Sequence, residues 1–196
     1  MRSALRGLAV LTLVLFLLPV RYARAGDGKT GWSATIYGGP ASYSRVSDIF
    51  QGDGRINGGM VGFAVDKDLI HLSRDVVIGA EGQLTGYVFD HYYGTAAVGI
   101  GLRFDRFPWD NTSLAVYSGP SYALNPPKLI RNKYGKSFEM KKFLNYTGVE
   151  FAVAVPHHEQ HWDMVLRIYH RSGAWGVYSN NVDEGSMIGV GIRARF

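Results

Sequence analysis

Apolar residues in this chain recur at every second position, in segments about ten residues long, and that pattern narrows the fold more than any other feature. Gly94, Ala96, Val98, Ile100, Leu102 and Phe104 make one face of a segment whose other face carries Thr95, Ala97, Gly99, Gly101 and Arg103. Val76, Ile78, Ala80, Gly82 and Leu84 oppose Glu81, Gln83 and Thr85 in the same way. A repeat of two residues marks a β-strand with two unlike faces, because successive side chains point to opposite sides of the sheet. The spacing predicts eight strands, at residues 31–44, 56–66, 76–90, 92–104, 112–123, 141–155, 161–172 and 185–196. Each is near the length that a tilted strand needs to cross a bilayer.

An even number of strands permits an antiparallel sheet to close on itself. Closure matters in lipid, where an open sheet edge finds no hydrogen-bonding partner. The expected fold is therefore all-β, an eight-stranded antiparallel transmembrane β-barrel. One face of the strands is apolar, and the opposite parity supplies Glu81, Gln83, Arg103, Glu150, Asp163, Arg167, Arg171, Arg193 and Arg195. The lumen of an eight-stranded barrel is just wide enough for side chains to fill it. These charges are expected to pair as a plug, leaving no pore. A secreted soluble ligand-binding barrel would show the reverse, an apolar inside and a polar outside.

Arg2 and Arg6 precede the apolar run Leu8 to Val20, which ends near Ala23-Arg24-Ala25. This is the pattern of a secretory signal peptide over residues 1–25, with an A-x-A cleavage site. Residues 26–196 then form a single barrel domain. Removal of the leader takes away four arginines and no acid, so the formal charge falls from +5 to +1. The basic balance lies largely in the leader and carries no nucleic-acid signal. There is no cysteine, so folding requires no disulfide.

If both termini lie on the periplasmic side, residues 67–75, 105–111 and 156–160 are periplasmic connections and the others face outward. The longest, residues 124–140, carries Lys128, Arg131, Lys133 and Lys136 and reads as a solvated loop. His157, His158, Glu159 and His161 invite comparison with a metal site, but the His-Glu-x-x-His helix pattern is absent and Pro156 opens a turn. Pro40 and Pro120 occur in similar contexts, Tyr37-Gly38-Gly39-Pro40 and Tyr117-Ser118-Gly119-Pro120. Proline cannot donate to a ladder, so both predict a bulge or bend. On the last strand Val190, Ile192, Ala194 and the terminal Phe196 alternate outward. That ending is similar to the C-terminal signal read by the outer-membrane assembly machinery and places the barrel in a Gram-negative outer membrane.

Candidate chemistry sits on the apolar face itself. His170 and Ser172 share the even-numbered side with Trp162, Met164, Leu166 and Ile168; Glu184 shares it with Ile188, Val190 and Ile192. Positions two apart on a strand lie about 7 Å apart along the backbone, and cross-strand neighbours approach to about 5 Å. A serine hydroxyl becomes a nucleophile when a histidine takes its proton, and a carboxylate can orient the ring and stabilise imidazolium. Charge on the lipid-facing side costs about 2–4 kcal/mol for Arg or Lys at the midplane and falls towards zero at the interface. The three groups occur at the strand end where that cost is small. Oxyanion donors available nearby are Asn180, Asn181 and the backbone amides of Ser172-Gly173-Ala174.

The His-x-Ser pair near the end of the seventh strand, with a glutamate twelve positions after the serine, resembles the PagL family of outer-membrane lipid A 3-O-deacylases. The similarity is strongest over residues 167–196. It implies His170 as base, Ser172 as nucleophile, Glu184 as orienting carboxylate and Asn180 as an oxyanion donor, with no metal or other cofactor. The family archetype has asparagine after the serine, where this chain has Gly173. Backbone amides would then carry more of the oxyanion stabilisation. Leu166, Ile168 and Ile188 are the expected wall for the acyl chain of a lipid A or lipopolysaccharide substrate, and a homodimer is left open. The competing expectation is a non-catalytic eight-stranded structural or adhesive protein.

Overall fold

The computed structural model describes residues 31–42, 51, 56, 58–88, 92–126, 130–131, 137–138, 140–159, 161–174, 177 and 183–196. The signal-peptide expectation over residues 1–25 lies outside them. The strands are β1 (Trp32–Ser42), β2 (Gly58–His71), β3 (Val76–Val88), β4 (Tyr92–Asp105), β5 (Thr112–Leu124), β6 (Ile130–Arg131), β7 (Ser137–Phe138), β8 (Phe143–Ala154), β9 (Trp162–Ser172) and β10 (Asp183–Arg195). Eight of them close in the order β1-β10-β9-β8-β5-β4-β3-β2, and every neighbouring pair is antiparallel. The two-residue strands β6 and β7 pair with each other outside the barrel, within the long connection between β5 and β8.

Alternation sorts the side chains by face. Ile36, Val61, Phe63, Leu84, Val98 and Ile100 are exposed on the outer wall, whereas Arg167, Glu81, Glu150, Asp163 and Arg193 are buried in the lumen. Met164, Val190 and Ile192 face outward as the parity predicts. Exposed aromatics gather at the two strand ends: Trp32, Trp162 and Phe196 at the end where β1 begins and β10 stops, with Trp109 in a connection there, and Tyr92, Tyr122 and Phe143 at the distal end. An apolar band between two aromatic girdles is the outer surface of a bilayer-spanning barrel.

The lumen is a salt-bridge network. Arg193 bridges Glu150 at 2.6 Å and Asp163 at 2.7 Å, and Arg167 pairs with Glu81 while its guanidinium lies 4.9 Å from the Tyr37 ring centroid. Arg195 pairs with Asp163, and Arg171 donates to Ser121 at 3.0 Å. Tyr37 donates to Gln83 at 2.6 Å, and Tyr146 to Glu81 at 3.1 Å. Buried charges of both signs thus pair with one another, although Nε and Nη1 of Arg167 have no hydrogen-bond partner among the described residues.

One strand boundary moves by more than two residues. The second strand runs to His71, not residue 66, because Asp68 turns inward to hold Arg103 at 2.6 Å and Lys67 turns outward over the Trp32 ring, 5.0 Å from its centroid. A register shift between Asp68 and Ile70 lets the strand continue. The two prolines lie where the ladder is interrupted without an inserted residue. The β1–β10 and β4–β5 registers are the same on either side of Pro40 and Pro120, although the pairing is interrupted there. At Gly39 and Gly119 the neighbouring strand comes so close that a Cβ would lie 2.2 Å from the carbonyl oxygen of Ile188 or Val98.

Candidate active site on the outer wall

His170 and Ser172 close the distal end of β9, and both side chains are half-buried on the outer face, alternating with the buried Tyr169 and Arg171. Leu166 and Ile168 follow on the same face, and Ile168 is paired across the strands with Ile188. The structure therefore brings His170, Ser172, Leu166, Ile168 and Ile188 onto one outward surface, as their parity predicts.

The histidine ring is held from the neighbouring strand. Its Nδ1 lies 3.1 Å from the Gly185 carbonyl oxygen and 3.0 Å from Ser186 Oγ. A carbonyl can only accept, so in the neutral ring Nδ1 carries the proton and Nε2 is the basic nitrogen. That is the tautomer a general base for Ser172 requires. Ser186 was not among the sequence candidates. In sequence it shares only the parity of Ile188 and Val190; the register makes it the cross-strand partner of His170.

Glu184 lies at a bulge. Asp183 pairs with Ser172 and Gly185 pairs with Arg171, so the backbone register makes Asp183 the partner of the serine and Glu184 the inserted residue. Gly185 has φ +137°, a conformation that favours glycine and accommodates the extra residue. Strict alternation from Ile188 back to Glu184 is broken there. The Glu184 side chain and all of Asn180 lie outside the described residues. Beyond the strand end Ala174 adopts φ +47°, and its amide donates towards Ser172 Oγ across 3.5 Å. Gly173 is buried between them. Of the backbone donors expected near the serine, the Ala174 amide is the one turned to it.

His170 also belongs to a longer polar row. Directly paired residues Ser42, Ser186, His170, Thr147 and Ser118 run across β1, β10, β9, β8 and β5, all on the outer face. Continued through Ile100, Ala80 and Lys67, the same row returns to β1 at Trp32, ten residues from Ser42. That offset is the shear of the barrel, and it tilts the row downward from the distal rim by about 3 Å per strand. One step above it, Ser172 pairs with Asn145, and Asn145 pairs with Pro120. Asn145 Nδ2 donates to Ser118 Oγ at 3.1 Å and to Thr147 Oγ1 at 3.3 Å. Beyond Pro120 the wall is grooved: Phe63, Leu84, Val98, Tyr122 and Phe143 stand around Gly82 and Ala96 and enclose about 560 Å³.

The described part of the 156–161 connection is a backbone-bonded turn. The His157 amide donates to Glu159, and the His161 amide to the His158 carbonyl at 2.9 Å. His157 has φ +65°, in keeping with the turn expected after Pro156.

No protein-family model matches this sequence, and no curated protein matches it. Solved structures do. The outer membrane enzyme PagL superposes with a TM-score of 0.54 at 9% identity, over 82% of this chain and 97% of that one. Ail, the attachment invasion locus protein of Yersinia pestis, gives 0.52 at 12% identity, over 85% and 99%. The N-terminal β-barrel domain of Pseudomonas aeruginosa OprF gives 0.52 at 10% identity, over 86% and 100%. At these identities the likeness is one of fold, that of the eight-stranded outer-membrane barrel.

Proposed function

We propose that this chain is an outer-membrane lipid A 3-O-deacylase. The observation that carries the reading is the placement of His170 and Ser172 together on the apolar outer wall, with the ring tautomer fixed by Gly185 and Ser186. An esterase built there meets its substrate laterally, from the bilayer, and lipid A is the ester-rich lipid of an outer leaflet. In this reading the distal end of the barrel faces outward, and the assembly machinery engages the strand ending in Phe196.

His170 Nε2 takes the proton of Ser172 as Oγ attacks the ester carbonyl carbon. The tetrahedral oxyanion forms beside the Ala174 amide, which the left-handed turn at Ala174 brings to the serine. Collapse breaks the bond to the sugar 3-oxygen, which leaves with the proton from His170. Water, activated by the same nitrogen, then hydrolyses the acyl-serine and releases a fatty acid. Glu184, carried by the bulge beside the histidine, would stabilise the imidazolium. Asn180 is the additional oxyanion donor that the family resemblance implies, and the acyl chain lies on the wall of Leu166, Ile168 and Ile188. The chemistry uses no metal or other cofactor.

The test is purified full-length protein in detergent with lipid A, following release of the 3-hydroxyacyl chain. Ser172→Ala should abolish release while the barrel stays folded, since a half-buried hydroxyl at the strand end contributes little packing. A folded variant with full activity would remove Ser172 as nucleophile.

A second reading has its own support. His170 bonded to Gly185 and Ser186 staples β9 to β10, which a non-catalytic structural or adhesive barrel could use without any substrate. In that case neither wild type nor Ser172→Ala releases fatty acid.

A further inference from the structure

We infer that Asn145, braced by Ser118 and Thr147, is a hydroxyl-recognition site for the acyl chain of the bound lipid, its Oδ1 accepting from chains that carry a hydroxyl close to the scissile carbonyl. The inference rests on the deacylase reading for the identity of the lipid, and it adds the residue that would discriminate between acyl chains.

Asn145 occupies a position where lipid contact would ordinarily call for an apolar residue. It shares the outer face of β8 with Phe143, Val149, Phe151 and Val153. An amide facing hydrocarbon without partners is costly. Here the amide is organised: Nδ2 donates to two hydroxyls, one on the adjacent strand and one two residues along its own. The Ser118 hydroxyl lies 3.2 Å from the Tyr146 carbonyl oxygen, which fixes the brace to the backbone. Ser118 is exposed on the wall, whereas Asn145 is 9% exposed, so the cluster forms a shallow polar floor with only its edge open.

Direction decides its role. Asn145 is the cross-strand partner of Ser172 and could in principle serve an oxyanion. Its amide, however, turns towards Thr147 and Ser118, further from the distal rim, and so away from the serine. The tilt of the register rows places Asn145 about 3 Å deeper than Ser172, and Thr147 about 5 Å deeper again. Those depths lie below the scissile ester, among the first carbons of the acyl chain. The polar group of an acyl chain that can donate to Asn145 Oδ1 there is a hydroxyl. Asn145 also stands between Ser172 and Pro120, at the edge of the apolar groove of about 560 Å³. The first carbons of a chain that runs from Ser172 down the wall of Leu166 and Ile168 pass Asn145 on the adjacent strand.

The experiment uses full-length protein in detergent and two probes, glucosamine esterified at its 3-position with either 3-hydroxytetradecanoate or tetradecanoate. Lipid retention is measured by native mass spectrometry in the hydrolysis-blocked Ser172→Ala background, and hydrolysis is measured separately with Ser172 intact. The hydroxylated probe should be retained about three- to tenfold more than its counterpart, the range expected of one net hydrogen bond. Asn145→Leu should erase the difference, and the near-isosteric Thr147→Val should reduce it, which covers the case where Asn145→Leu does not fold. Equal retention of the two probes in the Ser172→Ala background, or a preference that survives Asn145→Leu, overturns the inference. Hydrolysis of both probes without preference leaves the deacylase reading standing and the inference fallen. Preferential retention, lost in Asn145→Leu, with no hydrolysis of either probe does the opposite.

Discussion

The two ring nitrogens of His170 have different work. Nδ1 faces Gly185 and Ser186, which orient the ring, and in the proposed reaction Nε2 moves the proton. Loss of the ring should therefore cost more than loss of a group that only supports it. His170→Ala is expected to lower the rate by about 10² to 10⁴, whereas Glu184→Gln should retain partial activity, because the Gly185 carbonyl still holds the tautomer. The comparison is made on folded protein in detergent, following 3-hydroxyacyl release. Equal, near-wild-type rates for both variants would mean that the constellation is structural. His170 and Ser172 were legible in the sequence because parity within one strand places both on the outer face. Ser186, Thr147 and Asn145 were not, because period-two alternation says which face a residue occupies and nothing of which residue stands opposite it.

Elements carry the next level of constraint, and the close approaches at Gly39 and Gly119 illustrate it. In both strands a glycine-proline pair interrupts the ladder on one side while the other side remains paired, as in Pro40 with Gly59 and Pro120 with Asn145. Gly119→Ala would push a methyl against the Val98 carbonyl, 2.2 Å away. It should destabilise the barrel by about 1–3 kcal/mol, read as a shift of the urea midpoint for unfolding in detergent or lipid vesicles. An unchanged midpoint would mean that the strands can separate there at no cost. The prolines announced a break in the ladder, and only the constant register shows that no residue is inserted there. The bulge at Glu184 had the opposite fate. Gly185 permits it through a positive φ, yet a glycine in an alternating strand does not by itself announce an inserted residue.

The whole molecule is a closed wall around a charged core, and its stability depends on complementary burial inside. Arg167 is fully buried against Glu81 and Tyr37, with Glu150 at 3.9 Å. Arg167→Met leaves Glu81 buried without its cation and should cost about 3–5 kcal/mol, as removal of one partner of a buried pair does. Adding Glu81→Leu should recover more than half of that loss, measured by equilibrium unfolding in the same vesicles; no recovery would mean that packing of the arginine, not its charge, holds the core. Eight strands, an apolar outside and this luminal charge set were all readable from alternation, because burial on a barrel is decided by parity. The shear of ten was not, since it is a property of closure. That shear brings the polar row from the rim at Ser42 down the wall to Ser118. The central claim, that the catalytic pair on this wall removes an acyl chain from lipid A, is tested most directly by mass spectrometry of lipid A from Gram-negative cells with and without the protein, and with its Ser172→Ala variant. The account predicts that only the wild-type protein shifts lipid A down by the mass of one ester-linked 3-hydroxyacyl chain; identical lipid A spectra from all three cultures, with the barrel folded in the outer membrane, would contradict it.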